Sequence, residues 1–158
     1  MCFQFEELTH KNFTDAQEIN RDDIPESFVD LISTLMDITD YGIEHQYIGH
    51  TFLIRMDGKC IATILLGEAI PWETDPPQVK EHPFYRLMGF VMDKEYRNRG
   101  YGGKILEETI RRIYLEFGKR PIVLGCHKEN WRAASFYEHH GFVKTDYMEQ
   151  NDYYYIRD

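Results

Sequence analysis

The sequence lacks paired cysteines, a long apolar run and a recognisable export signal. Its three cysteines, Cys2, Cys60 and Cys126, are scattered and form no CxxC pair, which indicates free thiols in a reducing compartment. The longest apolar stretch, residues 61–70, is too short to span a bilayer. The first residues contain neither a basic segment nor the apolar core of a signal peptide. We therefore expect a cytoplasmic protein with no membrane partner.

Positive charge is also scarce. The chain has 18 Lys and Arg against 27 Asp and Glu, which gives a formal net charge of -9. A nonspecific nucleic-acid-binding protein would present a basic surface instead, so the charge argues against that class and favours a cationic or amine partner. The hydrophobic content of 42% and the length of 158 residues predict one folded globular domain over residues 1–158.

Several nucleotide and metal motifs are missing. There is no GxxxxGK[ST] sequence, so a P-loop is excluded. Gly100, Gly102 and Gly103 do not form GxGxxG, because Ile105 stands at the position of the last glycine. There is no HExxH sequence, and the pair at residues 139–140 is typical of surface histidines near a helix C-terminus. We therefore expect no metal site.

What the sequence does contain is a regular succession of apolar patterns. In the first half of the chain they predict a strand over residues 3–8, a brief helix capped by Asn12 or Thr14 and ending near Asn20, and a helix from Pro25 through Met36. Hairpin strands over 51–56 and 59–70, joined by Asp57-Gly58, are followed by a loop over 71–78. In the second half they predict a strand over 85–92, a helix ending at Gly118, a strand over 122–126, a helix over 131–140, and a final hairpin over 143–149 and 153–157. This order predicts an α/β layer fold with a mixed sheet of about seven strands and about four helices on its faces.

The most informative stretch is residues 87–117. An apolar strand leads into a turn that is rich in glycine and flanked by Arg97, Arg99 and Lys104, and a helical pattern follows. The first turn of a helix presents unpaired N–H groups and the positive end of the helix dipole. Glycines let the backbone approach a ligand closely. The stretch therefore predicts a site for a diphosphate.

Two blocks of residues resemble one family. Arg97-x-x-Gly100-x-Gly102, after a strand and before a helix, resembles the coenzyme A pyrophosphate loop of the GNAT-type N-acetyltransferases. The second block, residues 130–142, reads NWRAASFYEHHGF and resembles the helix and following strand of the same superfamily. The two blocks span about a third of the chain, and the predicted elements outside them follow the family's order. The resemblance implies the GNAT fold and acetyl-CoA as the acyl donor.

The resemblance also implies which residues contact coenzyme A. They comprise one strand segment, the glycine turn and two residues of the second block: Phe90, Val91 and Met92; Arg97, Asn98, Arg99, Gly100, Tyr101, Gly102, Gly103 and Lys104; Asn130 and Tyr137. The strand segment would hold the pantetheine arm through backbone hydrogen bonds, and its N–H groups could receive the developing oxyanion. Gly89 either marks a bulge that opens this strand or is kept for packing.

Tyr137 is the implied general acid, which would protonate the coenzyme A thiolate as it leaves. A phenol with an ordinary pKa near 10 is protonated at neutral pH and can donate. The alternative is a core tyrosine that packs against Phe136. The general base is open, and the candidates are Glu68, His82 and His127, each near a strand end, or a chain of water molecules.

The acceptor side rests on an acidic connection, in which Asp22, Asp23 and Glu26 either attract a cationic amine or form a solvated loop with N-capping aspartates. Tyrosines of the last hairpin either line the acceptor site or pack against one another: Tyr147, Tyr153, Tyr154 and Tyr155. The resemblance implies transfer of acetyl to a primary amine of a small molecule or a protein. Direct attack is favoured because neither block contains a cysteine, although Cys126 leaves a covalent route open. A noncatalytic acyl-coenzyme A sensor is the alternative, and a homodimer is suggested by the resemblance alone.

Overall fold

A computed structural model describes residues 2–158 and contains seven strands and five helices. The strands are β1 (Phe3–Glu7), β2 (Gly49–Met56), β3 (Lys59–Glu68), β4 (Tyr85–Met92), β5 (Ile122–His127), β6 (Val143–Glu149) and β7 (Asp152–Arg157). The helices are α1 (Phe13–Gln17), α2 (Ile32–Glu44), α3 (Pro77–Lys80), α4 (Tyr101–Phe117) and α5 (Trp131–His139), with one 3₁₀ turn at Lys94–Tyr96.

All seven strands form one mixed sheet in the order β1-β2-β3-β4-β5-β7-β6. Neighbouring strands are antiparallel except β4 and β5, which are parallel and are connected by α4. A crossover helix permits parallel pairing of the two strands that it joins. The last strand lies between β5 and the edge strand β6, so β7 is paired on both sides. The predicted mixed α/β sheet is confirmed.

The β2–β3 hairpin turns at Asp57 and Gly58, as the sequence predicts. Both residues have left-handed backbone angles, with φ of 50° and 80°. Two consecutive residues of this kind form the tight turn whose twist matches that of paired strands, and Asp-Gly is among its preferred sequences. Met56 and Lys59 are therefore paired directly across the turn.

Two apolar layers hold the helices against the sheet. On one face, α4 buries Ile105, Leu106 and Ile113 against strand residues such as Ile64. On the other face, Leu35 of α2 packs in a second cluster, which includes Ile32, Met36, Leu53 and Val91. Each fully buried aliphatic side chain of this size contributes about 1.5–3 kcal/mol. The sheet is thus covered on both sides.

Three predicted boundaries are wrong. Pro25 begins only a single turn and α2 starts at Ile32, because the Arg21 guanidinium binds the carbonyl oxygens of residues 29 and 30 and so ends that turn. The first helix stops at Gln17, and its Asn12 cap position receives a hydrogen bond from Thr9 N–H rather than from the helix. The predicted loop after residue 71 contains the one-turn helix α3, which begins at a proline.

Candidate active site

The sheet opens between its two parallel strands. β4 and β5 are paired only at Tyr85–Ile122 and Arg86–Val123, and beyond these pairs the strands diverge. A cleft of about 660 Å³ lies between their C-terminal halves, and we call it the β4–β5 cleft. Because no β5 residue pairs with β4 after Arg86, the backbone of the following residues is available along this edge to a ligand.

A bulge in β4 accompanies the opening. Thr63 is opposite Val91 while Leu65 is opposite Met88, so two residues of β4 face one residue of β3. Gly89 is in this bulge with φ of 62°, and its carbonyl accepts a hydrogen bond from Thr63 Oγ1 at 2.9 Å. A Cβ atom there would lie 2.6 Å from Cδ1 of Leu35. The predicted bulge is therefore present, and close packing requires the same glycine.

The glycine turn leaves the start of α4 bare. Gly100 is the N-cap residue with φ of 79°, and no side chain caps the first turn. A Cβ atom at Gly100 would meet no atom within 4 Å, so the backbone there is open to the cleft. Gly102 lies against Met92 and Phe136, Gly103 lies against His140, and both glycines also line the cleft. Free N–H groups at the positive end of a 17-residue helix suit a diphosphate.

The cations of this turn differ in position. Arg97 donates to the Met92 carbonyl at 3.0 Å and forms an ion pair with Asp23 at 2.6 Å, so it joins the acidic loop to the end of β4. Arg99 lies 5.7 Å from the centre of the Tyr96 ring, and Lys104 is exposed on α4. Neither lines the cleft within the part of the chain described.

Arg132 is a cleft cation that sequence reasoning missed. It lies in the first turn of α5 and donates to Asn98 Oδ1 at 3.1 Å, and both residues line the cleft beside Gly100. Its position two residues after Asn130, inside the second sequence block, was the available signal. Tyr101, by contrast, is buried and packs edge-on against Phe3, with 5.5 Å between ring centres.

Asn130 and Tyr137 are both in the cleft, on the side of α5. Asn130 accepts a hydrogen bond from Ala133 N–H at 3.3 Å and so caps the helix, as predicted. Tyr137 is half-buried, and its ring lies 5.3 Å from that of Phe136 and 5.5 Å from that of Phe142. Burial raises the pKa of the Tyr137 hydroxyl above its ordinary value, so this group keeps its proton over the whole neutral range.

Cys126 lies in the cleft wall near Tyr137. It is buried, and burial raises the pKa of its thiol to about 12. A nucleophilic cysteine needs a lowered pKa, because the thiolate is the reactive form. The surroundings of Cys126 therefore oppose a covalent acyl-cysteine route.

The three acidic residues of the acidic loop differ in whether they form ion pairs. Asp22 forms an ion pair with Lys94 at 3.2 Å, and Asp23 is held by Arg97, whose hydrogen bond lowers the pKa of Asp23. Glu26 lines the cleft and has no ion-pair partner among residues 2–158. Of the three acidic residues proposed from the sequence, Glu26 is thus the one whose charge is not already paired.

Three further carboxylates line the cleft and were missed by sequence reasoning: Asp30, Glu149 and Asp152. Partial desolvation raises the pKa of Asp30, and the negative charge of Glu26 adds to the shift. Burial likewise raises the pKa of Asp152. Glu149 and Asp152 are paired in the β6–β7 hairpin, whereas no local sequence signal links them to Asp30, which is more than 100 residues earlier in the chain.

The three candidate bases occupy different places. Glu68 accepts a hydrogen bond from Ile48 N–H at 3.3 Å and lines a second cleft of about 540 Å³ between α2 and the ends of β2 and β3. His82 is exposed before β4, at the paired end of the β4–β5 strands. His127 ends β5, and its ring lies 4.9 Å from that of Phe28, which lines the β4–β5 cleft.

A buried ion pair separates the two clefts. Both terminal nitrogens of Arg86 donate to Asp75 at 2.8 Å, and the Trp72 ring lies 3.7 Å from the guanidinium carbon. Arg86 and Trp72 line both clefts. Of the four hairpin tyrosines, Tyr154 alone lines the β4–β5 cleft within the described chain, and its hydroxyl is hydrogen-bonded with Thr74 at 2.7 Å.

Residues 2–158 contain neither a candidate membrane span nor a candidate metal cluster. No helix in this range combines the length and apolar character that a membrane span requires. No group of three or more His, Cys, Asp or Glu side chains in the same range is placed to hold a metal ion.

Comparison with known proteins gives a consistent result. A sequence model of the Acetyltransferase (GNAT) family matches residues 13–142. The PaiA N-acetyltransferase of Thermoplasma acidophilum in complex with coenzyme A is 17% identical, with a TM-score of 0.72 over 100% of this chain and 99% of that one. A GNAT family acetyltransferase from Elizabethkingia anophelis with acetyl-CoA bound is 16% identical, with a TM-score of 0.62 over 99% and 97%.

Ard1 from Thermoplasma volcanium is a third similar structure, 17% identical with a TM-score of 0.68 over 99% of this chain and 95% of that one. A comparison with curated protein sequences gave no significant match. At these identities the solved structures establish the fold, and the match to the family model extends over most of the sequence, from α1 to the end of the second motif. The chain therefore belongs to the GNAT family of acetyltransferases.

Proposed function

We propose that the chain is an N-acetyltransferase that transfers acetyl from acetyl-CoA to a primary amine by direct attack. The observation that carries the proposal is the β4–β5 cleft, which has an uncapped helix start at one end and the half-buried Tyr137 in its wall. Two similar structures contain coenzyme A or acetyl-CoA, which supports the choice of donor. The bare, open backbone at Gly100 fits the diphosphate of such a donor.

On the donor side, the protein supplies backbone groups and few charges. N–H groups of Gly100, Gly102 and Gly103 would bind the diphosphate, with Arg132 as the nearby cation. The segment Phe90–Met92 would bind the pantetheine arm along its open edge. Acetyl-CoA, when bound, supplies an activated thioester. Backbone N–H groups of the same segment would stabilise negative charge on the thioester oxygen, and Tyr137 would donate a proton to the leaving sulfur.

On the acceptor side, the cleft is acidic. Glu26, Asp30 and Asp152 line it and form no ion pair in the range described, although Arg21 lies near Glu26 and Asp30, and His127 lies near Asp152. This arrangement supports a protonated amine as the acceptor, because a partly desolvated negative site attracts a cation more strongly than a solvated one does. Small polyamine-like or aminoglycoside-like molecules, protein N-termini and lysine side chains all carry this group.

The rival proposal is a sensor that binds acyl-coenzyme A without catalysis. A sensor needs the donor half of the cleft but neither a protonated phenol in its wall nor an acidic acceptor half. The presence of Tyr137 and of three unpaired carboxylates therefore favours an enzyme. The location in the cytoplasm and the homodimer both remain predictions.

One experiment separates the two. Binding of coenzyme A is measured by calorimetry, and thiol release from acetyl-CoA is measured with a panel of 1,4-diaminobutane, spermidine, an aminoglycoside, a lysine peptide and a peptide with a free N-terminus. We expect binding together with amine-dependent thiol release. Binding without release on any amine would establish the sensor, and absence of binding would contradict both.

A further inference from the structure

The proposed general acid, Tyr137, requires a general base that acts on the acceptor amine. The two faces of β5 indicate where such a base lies. Alternate residues of a strand point to opposite faces of the sheet. Cys126 packs in the cluster beneath α4, against which Tyr137 also packs. Val123 packs on the other face, in the cluster with Phe84 and Tyr154. Gly125 belongs to this second face.

Asp152 lies over that glycine. Its Oδ2 atom would be 3.4 Å from a Cβ atom at Gly125, and Asp152 is paired in register with His127, two residues further along β5. The missing side chain at Gly125 leaves the Asp152 carboxylate room in the cleft wall. Tyr137 and Asp152 thus lie at the same level of β5 but on opposite faces of the sheet, and both line the β4–β5 cleft.

We propose that Asp152 is the general base, which takes a proton from the ammonium group of the acceptor. The assignment rests on the proposed function. It matches the demands of the reaction, because an amine such as a lysine side chain has a pKa of about 10.4 and is almost wholly protonated at neutral pH. An acid on the donor face and a base on the acceptor face let proton transfer occur on both sides of the reacting carbon.

The Asp152 carboxylate is free to act. It forms no ion pair with any residue in the range 2–158, whereas Asp22 and Asp23 are paired with Lys94 and Arg97. Three titratable groups lie near enough to act on its charge: His127 on β5, Glu149 at the end of β6, and Asp30 before α2; Asp152 in turn acts on Cys126 across β5. Burial raises the pKa of Asp152, the charge of His127 opposes the shift, and Glu149 and Asp30 add to it. A carboxylate with a raised pKa is a stronger base at neutral pH.

His127 is less suited to the role in this geometry. Its Nδ1 atom accepts a hydrogen bond from Glu129 N–H at 3.1 Å. In the neutral imidazole the proton is then on Nε2, so neither nitrogen has a free lone pair for the acceptor. The ring is also covered by Phe28.

The proton balance is simple. Two protons leave the ammonium group when it becomes an amide nitrogen, as the N–C bond forms and the C–S bond breaks. Asp152 accepts one and releases it to solvent. The second also passes to solvent, and the Tyr137 phenolate that is left after proton donation to sulfur takes one proton back from solvent. The net products are the amide, the coenzyme A thiol and one released proton. No oxidant or further reactant is needed.

Asp152→Asn tests the assignment kinetically, with the panel amine that gives the fastest thiol release in the unchanged protein. We expect kcat at saturating amine to fall by about 10²-fold or more at neutral pH, with the KM for acetyl-CoA unchanged. The unchanged protein should lose activity as the pH falls through the pKa of Asp152, because only the carboxylate accepts a proton, and the variant should lack this acidic limb. Asp146→Asn, an equal charge change at an exposed position of β6 outside the cleft, is the matched control and should behave like the unchanged protein.

Carboxyl ¹³C NMR provides a readout that needs no turnover. The Asp152 signal, identified by its loss in Asp152→Asn, should titrate above the ordinary Asp value of about 3.9. Glu149→Gln should lower that pKa by removing a negative neighbour. An ordinary pKa unaffected by Glu149→Gln, or a variant that lowers only the affinity for the amine while kcat persists, would overturn the assignment. If the unchanged protein released no thiol with any amine, the proposed function itself would fail, and this assignment with it.

Discussion

At the scale of single residues, the proposed acetyl transfer depends most clearly on Tyr137. Tyr137→Phe keeps the ring and its packing against Phe136 and Phe142 but removes the hydroxyl that we propose as the proton donor. We expect kcat to fall by about 10²-fold, with the KM for acetyl-CoA and the thermal midpoint unchanged. Steady-state kinetics and thermal unfolding check this prediction, and an unchanged kcat would place the tyrosine in the packing role only.

The pH dependence of activity provides a second test of the role of Tyr137. Because burial raises the pKa of Tyr137, the phenol stays protonated to higher pH than an ordinary tyrosine. Activity should therefore show no loss from ionisation of Tyr137 below pH about 10. A basic limb near pH 8 that disappears in Tyr137→Phe would contradict the raised pKa.

Cys126 is the residue that distinguishes direct attack from a covalent route. Cys126→Ala should leave turnover within a few-fold of the unchanged protein, since a buried thiol with a pKa of about 12 supplies almost no thiolate. The small void should lower the free energy of unfolding by about 1 kcal/mol. Thiol-release kinetics and urea unfolding measure both effects. Abolished transfer in a folded variant would establish the acyl-cysteine route instead.

At the scale of elements, the site depends on a bulge that only glycine allows. Gly89→Ala would place a methyl group 2.6 Å from Leu35 Cδ1 at a left-handed φ of 62°. We expect the free energy of unfolding to fall by about 2 kcal/mol or more, and the KM for acetyl-CoA to rise because the opening of β4 changes.

Gly42→Ala is the matched control for this change. Gly42 lies inside α2, and a Cβ atom there would meet nothing within 4 Å. The same substitution should therefore stabilise the protein by about 0.5–1 kcal/mol. Urea unfolding of the two variants should give opposite signs, and a neutral result for Gly89→Ala would show that the bulge tolerates a side chain.

At the scale of the whole molecule, the net charge of -9 should act on the acceptor over distances beyond contact. Raising the salt concentration from 0.05 to 0.5 M, chosen to shorten the screening length well below about 10 Å, should raise the KM of a cationic amine several-fold. A diamine should respond more strongly than a monoamine, because both of its charges are attracted. Equal responses of the two amines would show that the acidic surface plays no part in acceptor capture.

The sequence predicts this molecule well wherever the cause is local. The Asp57-Gly58 pair itself favours a tight turn, and α4 is bounded by Gly100 at its start and by Gly118 at its end. The sequence predicts the boundaries of an element less well where a residue outside that element determines where it ends. Arg21 ends the turn at Pro25 by binding the carbonyls of residues 29 and 30, and neither partner reveals this contact in its own neighbourhood.

The same distinction between local and distant causes applies to the candidate site. The glycine turn, Asn130 and Tyr137 lie in two continuous blocks, so the family resemblance could indicate the proposed donor half of the cleft. The proposed acceptor half depends on topology, because β7 returns beside β5 and places Asp152 over Gly125. Arg97 illustrates the limit, since a charge predicted for phosphate is joined to Asp23 across 74 residues of sequence.

The most direct test of acetyl transfer follows the acetyl group itself. The protein is mixed with acetyl-CoA labelled with ¹³C in the acetyl group and with the best amine of the panel, and the label is followed by NMR and mass spectrometry. The predicted result is that the label passes from thioester to amide on the amine, at a rate that Tyr137→Phe lowers, with no acetyl group on the protein. A label that stays on coenzyme A, or that accumulates on Cys126, would contradict direct transfer to an amine.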